Sequence, residues 1–241
     1  MSDPVVSIFM PMYNRQAYLA ATIDSILAQT FSDFELLIAD DGSSDNSVAI
    51  ARDFQGRDGR IRVITLPHAG EVSARNAALW HTNPQSKYLM NHDSDDISLP
   101  SKLEKLVRFL DGIPQIAIVG CFAEYFDDTG MQRGRPPLEF EPEKIRTSFH
   151  LVNSMINSAS LIRRAVFERV GFYREEFRSV DDYDFYARAL MAGFELANVP
   201  EVLHGIRLHP SSVGSTRAAL QEELAGKIRA DYGRFLIGSK A

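Results

Sequence analysis

The residues best suited to chemistry in this chain are carboxylates crowded at the end of one run, Lys87-Tyr88-Leu89-Met90-Asn91-His92-Asp93-Ser94-Asp95-Asp96. An apolar, strand-like segment stops abruptly in three acids within four positions. Like charges this close repel, and a bound cation offsets the repulsion. Hard cations such as Mg²⁺ or Mn²⁺ take oxygen ligands, keep several waters and are commonly shared with substrate phosphates. Asp93-Ser94-Asp95 at a strand end therefore predicts a metal–diphosphate site. An isolated Asp-x-Asp is more often a solvated acidic turn, here one that caps a helix starting near Pro100. What separates the two readings is where the other polar clusters fall.

Two such clusters share the same setting. Pro11-Met12-Tyr13-Asn14 follows the apolar run Val5 to Met10, and Asp40-Asp41-Gly42-Ser43-Ser44-Asp45 follows Phe34 to Ala39. A nucleotide base needs a flat partner and an edge partner. Tyr13 offers the ring, and such stacking contributes about 1–3 kcal/mol in nucleic-acid systems. Asp40 can accept a hydrogen bond from a base N–H, which favours uracil or thymine, whose N3 carries a proton. Arg75 brings a permanent charge suited to a nucleotide phosphate. Asp181-Asp182 precedes an apolar helix and supplies a carboxylate able to take a proton, or to cap that helix. Taken singly, Tyr13 reads equally as a surface aromatic, Asp40-Asp41-Gly42 as a turn, and Arg75 as a solvated helix residue.

The elements that must position these residues alternate in the N-terminal half. Val5 to Met10 reads as a strand stopped by Pro11, and Leu19, Ile23, Ile26 and Leu27 recur at helical spacing. Phe34 to Ala39 is a second strand, with Asp45 as N-cap for a helix around Val48 to Phe54. Ile61 to Leu66, Val72 to Trp80 and Lys87 to Asn91 give strand, helix and strand. Leu103, Leu106, Val107 and Leu110 mark a fourth helix, followed by a strand from Ile116 to Cys121. This alternation predicts an α/β fold with a mostly parallel central sheet flanked by helices. Ligands of such sheets bind beyond the carboxyl ends of the strands, which is where all three polar clusters fall. Residues 122–158 carry a Gly/Pro/charge-rich stretch with little periodicity. Beyond it come a short strand at Ala159 to Ile162, a helix through Val166 and Val170, a helix from Tyr183 to Met191 and a strand from Glu201 to Leu208. A final amphipathic helix runs from Arg217 to Leu236.

Composition narrows the classes. The chain has 241 residues, 45% of them hydrophobic, enough for a real core in one large domain. A net charge of −6 argues against a nucleic-acid surface. Cys121 is the only cysteine, so no intramolecular disulfide forms and a reducing cytoplasm fits. No stretch reads as a signal peptide or a membrane span.

The motifs, taken in order, resemble those of family 2 inverting glycosyltransferases. They are Val6-Ser7-Ile8-Phe9-Met10-Pro11-Met12-Tyr13-Asn14, Ile26-Leu27-Ala28-Gln29-Thr30-Phe31, Leu37-Ile38-Ala39-Asp40-Asp41-Gly42-Ser43-Ser44-Asp45, Ser73-Ala74-Arg75-Asn76-Ala77-Ala78, Asp93-Ser94-Asp95-Asp96, Ser160-Leu161-Ile162-Arg163-Arg164, Asp181-Asp182-Tyr183-Asp184 and Arg207-Leu208-His209-Pro210-Ser211-Ser212. The resemblance implies the GT-A fold, with a nucleotide-sugar-binding half at 1–121 joined to an acceptor-binding half at 122–241. It implies Pro11, Tyr13, Asn14, Asp40, Asp41, Arg75 and Asp93 around the nucleotide, with Asp41 on the ribose or holding its loop. It makes Asp95 the main ligand of Mn²⁺ or Mg²⁺, with Asp93 and His209 beside it, and Asp96 either a helix cap or part of the site. Asp182 becomes the base of an inverting displacement. Asp181 stands where the family usually carries Glu, and Asn157 and Ser158 where it faces its acceptor. The expected donor is a UDP-sugar and the acceptor a saccharide or lipid-linked saccharide hydroxyl. The Gln-x-x-Arg-Trp motif of processive synthases is absent, so single-sugar addition is expected. His68, His81, His92 and His150 receive no role. Two other classes compete: a catalytically inactive sugar-nucleotide-binding scaffold, and a nucleotidyltransferase, which would place a Gly-rich basic loop where Pro11-Met12-Tyr13-Asn14-Arg15 stands. The expected location is cytoplasmic, with the 217–236 helix docking peripherally on lipid, pairing with a second copy, or packing on its own domain.

Overall fold

The computed structural model describes residues 3–209 and 218–238. Four strands open the chain: β1 (Val6–Met12), β2 (Phe34–Asp40), β3 (Ile61–Thr65) and β4 (Tyr88–Asn91). They pair in parallel, and three helices connect them, α1 (Leu19–Leu27), α2 (Ser47–Arg57) and α3 (Glu71–Trp80). Every residue of β1 and β2 is buried, as expected for strands covered on both faces. There follow β5 (Ile97–Ser98), α4 (Lys102–Gly112), β6 (Ile116–Phe126), β7 (Gln132–Gly134), α5 (Pro142–Ser148), β8 (Leu161–Arg163), α6 (Arg164–Val170), α7 (Asp181–Met191), β9 (Glu195–Arg207) and α8 (Ala218–Gly238).

Among the described residues one sheet runs in the order β3-β2-β1-β4-β8-β6-β9-β5, with β7 paired on β6. The short strands β5, β7 and β8 pair antiparallel; the remaining pairings are parallel. Side chains alternate across this sheet and divide the core in two. Ile8, Met10, Leu36, Ile38 and Met90 meet α1, α2 and α4 through Leu19, Ile23, Phe54, Leu103 and Leu106. Phe9, Leu37 and Leu89 meet α3, α6, α7 and α8 through Val72, Leu79, Val166, Phe185 and Tyr232. The result is an α/β fold with a mostly parallel sheet between two helical layers.

Several boundaries differ from the sequence reading, each for a local reason. β9 starts at Glu195, not Glu201, because Pro200 does not end it. The pairing of β6 with β9 steps from Cys121↔Val199 to Phe122↔Val202, so Pro200 and Glu201 form a bulge where a missing N–H is tolerated. α5 was hidden in the Gly/Pro-rich stretch, and Pro142 sits in its first turn. Strands β5 and β7 are too short to show a period. Asp45 lies one residue outside the cap position of α2, where its Oδ1 still accepts the Ser47 N–H at 2.9 Å. α7 begins at Asp181, so the acidic pair occupies its first turn rather than preceding it.

The apolar face of α8 packs within the domain. Leu224, Ile228 and Tyr232 are buried, Tyr232 meets the Phe149 ring edge-on at 5.7 Å, and its hydroxyl donates to the Arg146 carbonyl at 2.9 Å. Of the three readings of this helix, packing on its own domain is the one these buried residues fit, with Leu220, Phe235 and Leu236 partly buried beside them. Arg217 lies outside the described residues. Among those described, no helix is long and apolar enough to cross a membrane.

Candidate active site

The ends of β1 and β2 build the first part of the site. Their register pairs Met12 with Asp40, so Tyr13 and Asp41 leave the sheet side by side. Pro11 stands beyond the last β1–β4 pair, Phe9 with Asn91, where the ladder has ended on that side. Asp40 is 2% exposed, and both its oxygens lie 3.2 Å from the Ser43 N–H. Asp41 accepts the N–H groups of Ala69 and Gly70 at 2.8 and 2.9 Å, so it holds the 68–70 loop. Gly42, at φ +74°, lets that loop approach: a Cβ there would stand 3.1 Å from the His68 nitrogen. His68, given no role from sequence, stacks on Tyr13 with ring centroids 4.4 Å apart. Tyr13 is 41% exposed. Asn14, at φ 51°, accepts the Ser44 N–H at 2.9 Å and thereby joins the two loops.

The end of β4 builds the second part. Asp95 Oδ2 lies 3.0 Å from His209 Nε2 and 3.0 Å from Arg15 Nε. The His209 ring is buried and stacked on Tyr18, 4.9 Å between centroids. Arg207 donates from Nε to the Asp95 carbonyl at 3.0 Å. Asp93 accepts from the Asn91 amide at 3.0 Å, and burial, reinforced by the Asp96 charge, pushes it up to about 8. Asp96 is not a helix cap. Its carboxylate takes His204 Nε2 at 2.9 Å, the Ser158 hydroxyl at 2.8 Å and the Arg207 N–H at 3.0 Å. Arg15 was missed from sequence; nothing in its type separates it from any surface arginine. Pro210 to Ser212 of the last motif lie outside the described residues.

The first turns of α3 and α7 supply the third part. Arg75 is 3% exposed rather than solvated. Its guanidinium pairs with Asp181 and with Glu71, and Nε donates to Asn91 Oδ1 at 3.3 Å. The Tyr173 ring lies 5.3 Å from it. Asp181 is buried in this pair. Asp182, next to it, is partly exposed and accepts the Tyr183 N–H at 2.8 Å and the Asn153 amide at 3.4 Å. Desolvation first, and the Asp181 charge second, push Asp182 up to about 7. Asp184 is committed to Arg188 at 2.9 Å and to Arg174. Asn157 accepts from the Tyr173 hydroxyl at 3.1 Å. Ser158, read as an acceptor contact, instead faces the interior at 2% exposure, because Asp96 and His204 claim its hydroxyl.

Among the described residues, no three acidic, imidazole or thiol side chains converge enough to hold an ion alone. Asp95 with His209 offers one oxygen and one nitrogen. Such a partial donor set suits a cation that completes its shell with water and substrate phosphate, so the residues present fit Mn²⁺ or Mg²⁺.

Residues 7–171 match the family described as glycosyl transferase family 2, and the chain belongs to that family. As a class it is a glycosyltransferase. It is 29% identical over 240 residues to EpsJ of Bacillus subtilis (strain 168), an uncharacterized glycosyltransferase, covering 94% of this chain and 68% of that one. An uncharacterized glycosyltransferase of Haemophilus influenzae is 28% identical over 236 residues, covering 94% and 72%. Among solved structures, S. aureus TarS 1–349 with UDP superposes with TM-score 0.73 at 18% identity. That match covers 94% of this chain, which spans 64% of the TarS chain. The Pyrobaculum calidifontis mannosyltransferase PcManGT with GDP-Man and Mn²⁺ gives 0.67 at 15% identity, covering 96% and 74%. These likenesses establish a shared fold, GT-A.

Proposed function

We propose that this chain transfers one sugar from a UDP-sugar to a saccharide or lipid-linked saccharide hydroxyl, with inversion and with a divalent cation. The observation that carries the reading is the Arg75 bridge. Arg75 binds Asp181 on α7 and Asn91 at the end of β4, and Asn91 holds Asp93. One buried cation thus fixes the proposed base and the proposed diphosphate loop relative to each other.

In this reading Tyr13 and Asp40 receive the base, and Asp40 accepts from the uracil N3–H. Asn14 and Asp41 hold the surrounding loops. Asp95 and His209 hold the cation, with Asp93 beside them. An ion held there would supply positive charge to offset the negative charge developing on the departing diphosphate. Asp182 takes the proton of the acceptor hydroxyl as its oxygen bonds the anomeric carbon. The bond to the diphosphate breaks on the opposite face, its electron pair leaving with UDP, so the centre inverts. Asp181 keeps Arg75 in place, and Asn157 lies behind Tyr173 on the acceptor side. TarS and PcManGT were solved with UDP and GDP-Man respectively, which supports a nucleotide-sugar donor. Incubating the protein with a panel of nucleotide sugars, with and without Mn²⁺, tests this reading. Metal-dependent release of UDP is expected. Metal-independent binding without turnover supports the inactive-scaffold reading instead.

A further inference from the structure

Lys102 is placed against two local rules. It opens α4, where the positive end of the helix dipole disfavours a cation. Its side chain is also fully buried, where an ammonium loses its hydration. Residues held against local preference mark functional or strained positions.

Its three N–H groups each have a partner. They reach the Ser158 carbonyl at 2.6 Å, Ser98 Oγ at 3.2 Å and His204 Nδ1 at 3.1 Å. An ammonium only donates, so His204 Nδ1 accepts and the ring proton sits on Nε2. That proton faces Asp96 Oδ2 and Ser158 Oγ, both at 2.9 Å. Ser98, accepting from Lys102, gives its own proton to His92 Nε2 at 2.8 Å. His92 Nδ1–H then donates to the Asp93 carbonyl at 2.8 Å. One arm therefore ends on the Asp93 backbone and the other on the Asp96 carboxylate, the two ends of the acidic loop. The pairing of Ser98 with His204 brings β5 and β9 together beneath it. Asp96 also receives the Arg207 N–H, two residues before His209.

We infer that Lys102 is a positioning residue whose two hydrogen-bonded arms hold the 93–96 loop and the end of β9 in the register that brings Asp95 and His209 within 3.0 Å. The inference rests on the reading of that pair as the cation site. Lys102→Met keeps the stem and removes all three donors.

Two measurements on the full chain test it: amide hydrogen exchange without ligand, and UDP calorimetry with and without Mn²⁺. Exchange in 92–98 and 204–207 is expected to quicken at least tenfold while β1 and β2 stay unchanged. The Mn²⁺-dependent gain in UDP affinity is expected to fall at least tenfold, with metal-free UDP affinity unchanged. Native exchange in both segments, or a native Mn²⁺ gain, overturns the inference. A wild-type protein without any Mn²⁺ gain overturns the proposed function instead, and exchange still decides whether Lys102 holds the loop. If Lys102→Met does not fold, His204→Gln breaks the link to Lys102 while offering Asp96 an amide donor, and the same two outcomes decide.

Discussion

Replacing Asp182 by Asn tests the base assignment and the burial behind it in one substitution. Burial and Asp181 raise the Asp182 carboxyl to about 7 from 3.8. With such a value about a tenth of the enzyme carries the base form at pH 6 and about nine-tenths at pH 8. For the wild type, kcat/KM for UDP release should rise with unit slope from pH 5 and level off above pH 7. The Asn variant should lose about 10²–10⁴ in rate at pH 8 while binding UDP as before. Stability should move the other way. A carboxyl whose folded pKa is raised contributes stability below its unfolded pKa and loses it as pH climbs to the folded value. A rise of that size corresponds to an upper limit of roughly 4 kcal/mol, less here because the side chain is partly exposed. Asp182→Asn should therefore melt above the wild type at pH 8, and the gap should close between pH 7 and pH 4. A flat rate profile from pH 5 to 8, or near-native turnover in the variant, refutes the assignment. Asp184 is then no substitute, since Arg174 and Arg188 hold it.

Other outcomes follow from the same geometry. Asp95→Ala should abolish the Mn²⁺-dependent gain in UDP affinity seen by calorimetry and leave metal-free binding intact. Arg15→Met removes the guanidinium 3.0 Å from Asp95, so Mn²⁺ titrated without nucleotide should bind more tightly than to wild type. Asp40→Asn should weaken UDP at least tenfold in calorimetry and narrow the preference for UDP over GDP. Phe149→Ala removes a fully buried ring that meets Tyr183 and Tyr232 edge-on, and should cost about 3–5 kcal/mol in urea unfolding.

The strand–helix order was legible because β1, β2 and β4 carry apolar runs closely followed by polar residues, although β1 continues past its expected stop at Pro11 to Met12 and β2 through Asp40. Parallel pairing then sends every run's polar end to one edge, so chain order alone located Tyr13, Asp40 and Asp95 together. What stayed hidden depends on contacts between distant residues. No local signal says that Arg15 faces Asp95, or that His68 lies on Tyr13. His92 had no neighbour in the sequence to explain it, because Ser98 becomes its partner only when β5 turns back toward β9. Ser158 was placed at the acceptor by its position in the family pattern, which does not show that Asp96 and His204 take up its hydroxyl inside the fold.

Three acids in four positions seemed to need a bound cation to fold, but the protein supplies cations of its own. Arg15 stands against Asp95, Lys102 reaches Asp96 through His204, and Asp93, pushed toward its neutral form by burial, is held by Asn91, the partner of Arg75. The loop can therefore be assembled before any ligand arrives, which limits the ordering cost that binding must overcome. The three cations differ in how fixed they are. Arg75 and Lys102 are buried and fully partnered, so they define the frame. Arg15 retains about a quarter of its side-chain surface in solvent and sits on a loop, so it is the one that can yield its carboxylate to a metal ion without unpacking the core.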